Sequence, residues 1–331
     1  MSLSVGIVGL PNVGKSTLFN ALLKKQAAYA ANFPFATIEP NVGIVPVPDK
    51  RLAQLAEVTK VAEGMDTLPP EVPATCEFVD IAGLIAGAHK GEGLGNKFLS
   101  HIRETDAICH VVRVFPDEDI IKEGSISPKD DFETIKTELE LADLETVEKH
   151  KQKKNANVEE LQLLAQKPFL VVLNVSEDQL KEANQLEEKY AAELHLQKDQ
   201  VVAICAKVES ELAALDESEQ KEYLKDLGVE ESGLERLIKK AFATLGLITY
   251  LTAGEKEVRA WTITDGFKAP QAAGVIHTDF EKKFIKADVC GFNDFIENNG
   301  WKGSKEKGKV RSEGRDYVMK DGDVVEFKIG A

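Results

Sequence analysis

The sequence predicts an α/β protein in which a parallel sheet covered by helices is interrupted by a short helical hairpin and followed by a small α+β domain. Two observations predict the sheet: short apolar runs recur along the first two thirds of the chain, and helical patterns separate most of them. A third predicts the end. From Thr249 the texture changes to short alternating runs, Val258–Ile263, Gly274–His277 and Val324–Phe327, with a helix near Asp279–Phe284 and a turn at Lys320-Asp321-Gly322-Asp323.

The first run, Leu3–Val8, reads as a buried strand, and a helical pattern begins near Lys15 and continues through Leu18, Leu22 and Leu23. Between them lies Gly9-Leu-Pro-Asn-Val-Gly-Lys-Ser-Thr17, which fits G-x-x-x-x-G-K-[ST] in the required order of strand, loop and helix. In that pattern backbone N–H groups and a helix N-terminus cradle phosphates, Lys15 bridges the outer phosphates during catalysis, and the Ser16 hydroxyl reaches Mg²⁺. The residues imply a nucleoside triphosphate site.

At 331 residues the chain has room for two or three domains. No apolar run approaches the ~18 residues of a membrane span, and the first residues lead directly into a strand, so a cytoplasmic protein is expected. Cys76, Cys109, Cys205 and Cys290 are scattered singly, which suits small buried hydrophobes better than disulfides or a zinc site. The net charge of −15 argues against a protein that coats nucleic acid by bulk attraction, and DNA is not an expected partner. The surplus acid lies upstream of Leu247, dense from Glu209 to Glu235, where a solvated helix face is expected.

After the first helix, Asn32-Phe-Pro-Phe-Ala-Thr37-Ile-Glu-Pro40 forms a Pro-punctuated loop ahead of a strand at Val42–Val47. Thr37 lies where a mobile loop can place a second hydroxyl on the metal. A helix follows at Asp49–Lys60 and a strand at Thr75–Val79. At its end Asp80-Ile-Ala-Gly83 matches D-x-x-G, in which the carboxylate holds the Mg²⁺ shell and the Gly83 amide senses the γ-phosphate. Leu84 stands where signalling GTPases carry a water-orienting Gln. The nearest polar substitute in order is His110 on the strand Ala107–Val114, with His89 of the Gly-rich stretch Gly83–Gly95 next. One strand position decides whether the His110 ring faces the phosphates or the core.

Asp130–Lys154 reads as one long polar helix and Val158–Gln166 as a second, together a projecting α-hairpin. The sheet resumes at Pro168–Asn174, whose end carries Asn174-Val-Ser-Glu177. Where a guanine site has Asn-Lys-x-Asp, Val175 and Glu177 alter both the cover of the base and the reach of the carboxylate, so adenine becomes the expected base. The strand Gln200–Cys205 ends in Ala206-Lys207, which supports the base. Between Lys302 and Arg315 lies a modest basic patch.

These segments, with Gly91-Glu-Gly-Leu-Gly-Asn-Lys-Phe-Leu99, Arg103-Glu-Thr-Asp-Ala-Ile108 and Ala269-Pro-Gln-Ala-Ala-Gly-Val-Ile-His-Thr-Asp-Phe280, resemble the YchF family of Obg-like ATPases over nearly the whole chain. The resemblance implies a P-loop NTPase domain at 1–118 and 168–246, a shortened coiled-coil insertion at 119–167 and a TGS domain at 247–331. It further implies slow Mg²⁺-dependent ATP hydrolysis, with K⁺ a further candidate cofactor, and as partner the ribosome, through its large subunit or as a whole, and its RNA. Residue by residue it implies that Asn12, Val13, Gly14, Lys15, Ser16 and Thr17 hold phosphate, that Ser16 and Thr37 hold Mg²⁺ beside the Asp80 of D-x-x-G, that Asn174 to Glu177 hold adenine with Val175 contributing backbone and Ala206 supporting the base, and that His110 assists hydrolysis. The alternatives are a GTPase acting in ribosome assembly and a binding module locked by its nucleotide.

Overall fold

The computed structural model describes residues 3–32, 41–81, 94–115, 127–151 and 161–330. In chain order the first elements are β1 (Ser4–Val8), α1 (Lys15–Asn32), β2 (Val42–Pro46), α2 (Arg51–Glu63), β3 (Glu71–Val72), β4 (Thr75–Asp80), α3 (Leu94–Glu104) and β5 (Ala107–Arg113). They are followed by α4 (Pro128–Lys151), β6 (Phe169–Asn174), α5 (Ala183–Glu193), β7 (Val201–Ile204), α6 (Ala206–Leu212), α7 (Glu217–Asp226) and α8 (Gly233–Thr244). Two compact units divide the chain, one of residues 1–45 and 76–245, the other of 46–75 and 246–331.

The first unit is built on a sheet of order β2-β4-β1-β5-β6-β7, in which β4, β1, β5, β6 and β7 run parallel. Every residue of β1 and β5 is buried, as central strands covered on both faces must be. Phe98 and Ile102 of α3 and Ile135, Leu139 and Ala142 of α4 pack on Ile108. Val112, Val171 and Leu173 pack instead with Tyr190 and Ala191 of α5 and Val208 of α6. All four cysteines are buried and free.

The insertion departs from its expected form. Over its first two thirds α4 is not a projecting arm: Phe132, Ile135, Leu139 and Ala142 form an apolar stripe at helical spacing that is buried on the unit's core. The second expected helix, Val158–Gln166, is absent over its described part, where residues 161–163 are irregular and Leu164–Gln166 form a 3₁₀ turn. That turn is tied back to α4, because the Asp143 carboxylate accepts the Leu164 and Ala165 N–H groups at 2.9 and 2.8 Å. The acidic stretch also differs in one place. Most of α7 is exposed, but Glu209 is buried and accepts the Gly233 N–H at 2.8 Å, capping α8.

The second unit continues with β8 (Leu247–Ala253), β9 (Val258–Thr264), α9 (Ala269–Ile276), α10 (Thr278–Lys282), β10 (Phe284–Gly291), α11 (Phe292–Glu297), α12 (Trp301–Glu306), β11 (Arg311–Glu313) and β12 (Asp323–Ile329). Its sheet has the order β11-β10-β12-β8-β9-β3. The parallel pair β12–β8 lies inside it, with antiparallel pairs β8–β9 and β10–β12 on either side, the ubiquitin-like arrangement expected. Gly274–His277 is not a strand: it is the end of α9 and its cap, and Ala269, Ala272 and Ala273 pack that helix on Tyr250 and Val325. The Pro at the start of α9 is the helix signal that short alternation concealed.

Residues 46–75, expected within the first domain, belong to the second unit. Leu52, Leu55, Ala56 and Thr59 of α2 are buried, and Glu71–Val72 pairs in parallel with Val258–Arg259. Arg51 donates to both oxygens of Asp49 and to Asp321 Oδ2 at 2.8 Å, while Asp321 Oδ1 accepts the Thr249 N–H at 2.9 Å. No helix among the described residues is long and apolar enough to cross a membrane.

Candidate active site

The loop after β1 is shaped by two residues in left-handed backbone conformation, Asn12 at φ 63° and Gly14 at φ 93°. Gly14 admits no side chain: a Cβ there would collide with Asn174 Nδ2. Gly9 is similarly close, its Cβ position lying 2.8 Å from the Val111 carbonyl oxygen and 2.9 Å from Val13 Cγ2. α1 then begins at Lys15, with the Leu18 N–H donating to the Gly14 carbonyl at 3.0 Å and no acidic residue in its first turn. Its first N–H groups, which have no partner within the helix, are the anion-binding groups of such a loop.

Asn174, at the end of β6, holds this loop in place. Its Nδ2 donates to the Val13 carbonyl at 2.9 Å, and its Oδ1 accepts the Ala206 N–H at 3.1 Å. One buried amide therefore joins three turns: the phosphate loop, the end of β6 and the start of α6. The sequence assigned Asn174 to the base; its bracing of the loop appears only in the fold.

Lys15 forms an ion pair with Asp80 Oδ1, so the phosphate-binding cation and the acid expected to serve Mg²⁺ meet directly. Ser16 and Thr17 are exposed beside them at the start of α1. The side-chain donors here, a hydroxyl and a carboxylate, are hard oxygen ligands, which suits Mg²⁺ and would suit a thiophilic metal poorly. Thr37, Gly83, Leu84 and His89 lie outside the described residues.

At the base-reading turn Val175 is fully buried, packs in the core and donates its N–H to the Ile204 carbonyl at 2.9 Å. Its side chain is therefore not available to cover a base. Glu177 is exposed at the first position of a 3₁₀ helix, Glu177–Glu182, capped by Ser176 and Gln179. Burial raises the Cys205 thiol pKa, and the nearby Glu177 carboxylate adds to that rise.

His110 is placed in the core, which corrects its expected role. Its ring is fully buried, stacked on Phe132 at 5.8 Å and edge-on to Phe169 at 5.9 Å. Neither ring nitrogen has a hydrogen-bond partner among the described residues, and burial lowers its pKa to about 3. The alternation of β5 decides this: Ile108, His110 and Val112 share the face covered by α3, α4 and α5, whereas Val111 meets Gly9 of the loop.

Residues 4–207 match a family described as a 50S ribosome-binding GTPase, and residues 247–330 match YchF-GTPase_C, described as a protein of unknown function. A Bacillus subtilis protein named ribosome-binding ATPase YchF is 47% identical over 374 aligned positions, covering 99% of each chain. The chain belongs to the YchF family. The YchF relative of Haemophilus influenzae, also named a ribosome-binding ATPase, is 50% identical over 99% of each chain. A solved structure of the Schizosaccharomyces pombe YchF GTPase superposes with a TM-score of 0.83 at 36% identity, covering 99% of this chain and 98% of that one. The alignment to the B. subtilis YchF protein is longer than the 331 residues of this chain, so that relative carries residues this YchF chain lacks.

Proposed function

We propose that this protein is a Mg²⁺-dependent ATPase that binds ribosomes and acts as a nucleotide-controlled switch on translation in the cytoplasm. The observation that carries the reading is the loop at Gly9–Thr17 held by Asn174, with Lys15 and Asp80 paired at its mouth. The loop N–H groups and Lys15 bind the β- and γ-phosphates; Ser16, Asp80 and Thr37 hold the metal, and Gly83 senses the γ-phosphate. Mg²⁺, when bound, neutralises charge on the phosphate oxygens. Nucleotide binding draws Lys15 from Asp80 towards phosphate and frees the carboxylate for the metal shell, so the two contacts change together.

Adenine is favoured because the turn lacks both parts of a guanine reader: Val175 is in the core and Glu177 is one methylene longer than Asp. The names of the relatives add the ribosome as partner, with the large subunit and its RNA as the surfaces proposed. The second unit is read as a TGS domain. Both matching family models and the S. pombe structure carry GTPase in their names or descriptions, which favours the second reading, a GTPase in ribosome assembly.

Competition of ATP and GTP against a fluorescent nucleotide decides between them. ATP is expected to bind more tightly, and equal or tighter GTP binding rejects the adenine assignment. Co-sedimentation with ribosomes is expected to differ between ATP and ADP; identical pelleting with ATP, with ADP and without nucleotide rejects the switch. Turnover at background with Mg²⁺ and K⁺, with or without ribosomes, favours the nucleotide-locked binding module instead.

A further inference from the structure

β5 is apolar except for His110 and its last residue, Arg113. Arg113 is 1% exposed, and Nε, Nη1 and Nη2 all lack a hydrogen-bond partner among the described residues. Its Cζ lies 5.9 Å from the Phe115 ring centroid, a contact that compensates a buried charge only weakly. A guanidinium stripped of water and left unpaired is strongly unfavourable in a folded protein unless an anion balances it.

Its place in the sheet identifies the anion. β1 pairs with β5 through Val8↔His110, so the phosphate loop leaves β1 at Gly9 against Val111. Arg113 lies one strand period further on, beyond the end of β1. On its other side it pairs with Asn174, whose amide reaches Val13 of the loop. The loop and its brace therefore flank Arg113. At the loop mouth Lys15 and Asp80 offset one another, and the first turn of α1 carries no acid.

We propose that Arg113 is a buried field charge for the nucleotide: its cation, left uncompensated by the described fold, favours phosphate on the loop without touching it. It is a positioning and specificity residue, and its contribution grows with the number of phosphate charges. Because it is dry, it is weakly screened by salt. It sets the preference of the site for nucleoside polyphosphates over nucleosides. The inference rests on the nucleotide site described above.

The test is calorimetric titration of ATP, ADP, AMP and adenosine into the wild-type protein, Arg113→Met and Arg113→Lys, with the melting midpoint of each nucleotide-free protein. In Arg113→Met the ATP affinity is expected to fall roughly tenfold or more, the scale of unit charges interacting at ~10 Å through an effective dielectric near 20. ADP loses less, AMP less again, and adenosine is unchanged within the error of the titration. The nucleotide-free midpoint does not fall, and Arg113→Lys restores most of the gradation. An equal loss for all four ligands, no loss for any, or a fall in the nucleotide-free midpoint of Arg113→Met overturns the proposal, because each assigns the cation a role other than the phosphates. If Arg113→Met does not fold, Arg113→Gln, a smaller polar residue, takes its place in the titrations and the same outcomes support or overturn the proposal. Wild-type ATP affinity that survives Lys15→Ala rejects the site reading itself; a flat response at Arg113 alone rejects only this inference.

Discussion

His110 shows how one side chain divides stability from catalysis. Its folded-state pKa of about 3 lies below the ordinary value of 6.5, so the unfolded chain binds a proton that the folded protein excludes. The stability this contributes is fully present above pH 6.5 and is lost as pH falls from 6.5 towards 3. At its steepest the loss is about 1.4 kcal/mol per pH unit. His110→Phe keeps the aromatic packing and removes the proton. Its denaturant-derived stability is expected to fall less steeply than that of the wild type below pH 6.5, with ATP turnover retained. Turnover lost at unchanged stability returns His110 to the catalytic machinery. His110→Ala removes the ring from between Phe132 and Phe169 and is expected to cost about 2–4 kcal/mol, the scale of deleting a buried aromatic group.

The insertion is decided by how one helix meets its return. The periodicity of α4 is visible in its residues, but an apolar stripe fits a coiled-coil partner or the unit's own core equally well. Asp143 settles the return path by binding two consecutive N–H groups, Leu164 and Ala165, where the chain re-enters the sheet. Asp143→Ala leaves both without that partner. A stability loss of about 1–3 kcal/mol is expected, with faster amide exchange at Leu164 and Ala165 than elsewhere in the unit. Unchanged exchange at those two amides shows that the clamp does not hold in solution. Asn174 does the same kind of work at the other end of β6, where one amide sets the spacing of three turns.

The whole molecule is assembled across a long sequence separation. Residues 46–75 interrupt the first unit and supply α2 and β3 to the second. The segment 247–331 by itself therefore lacks the edge strand that pairs with Val258–Arg259 and the helix whose Leu52, Leu55 and Ala56 are buried. Expressed alone, it is expected to melt at a lower temperature than a fusion that joins 46–75 to its N-terminus through a flexible linker, and to lose the ion pairs of Arg51 with it. Circular dichroism melts of the two fragments check this. Equal midpoints show that α2 and β3 add nothing to that fold.

The sequence by itself determined the phosphate loop, the strand ends at Asp80 and Asn174, the alternation of strand and helix that makes the sheet parallel, and the departure from a guanine reader. Each is local: a few adjacent residues dictate a turn, a cap or a buried strand. What only the tertiary structure decided depends on partners far along the chain. The face of β5 that carries His110 is fixed by α4 and β6, the membership of α2 by a strand pairing almost two hundred positions away, and the insertion path by Asp143. The helix at Ala269–Ile276 was missed for a related reason, since a short apolar run takes its period from the sheet it packs on. Arg113 was legible only as a lone cation ending an apolar strand. Its burial, and its place between the phosphate loop and Asn174, exist only once three parallel strands are in register.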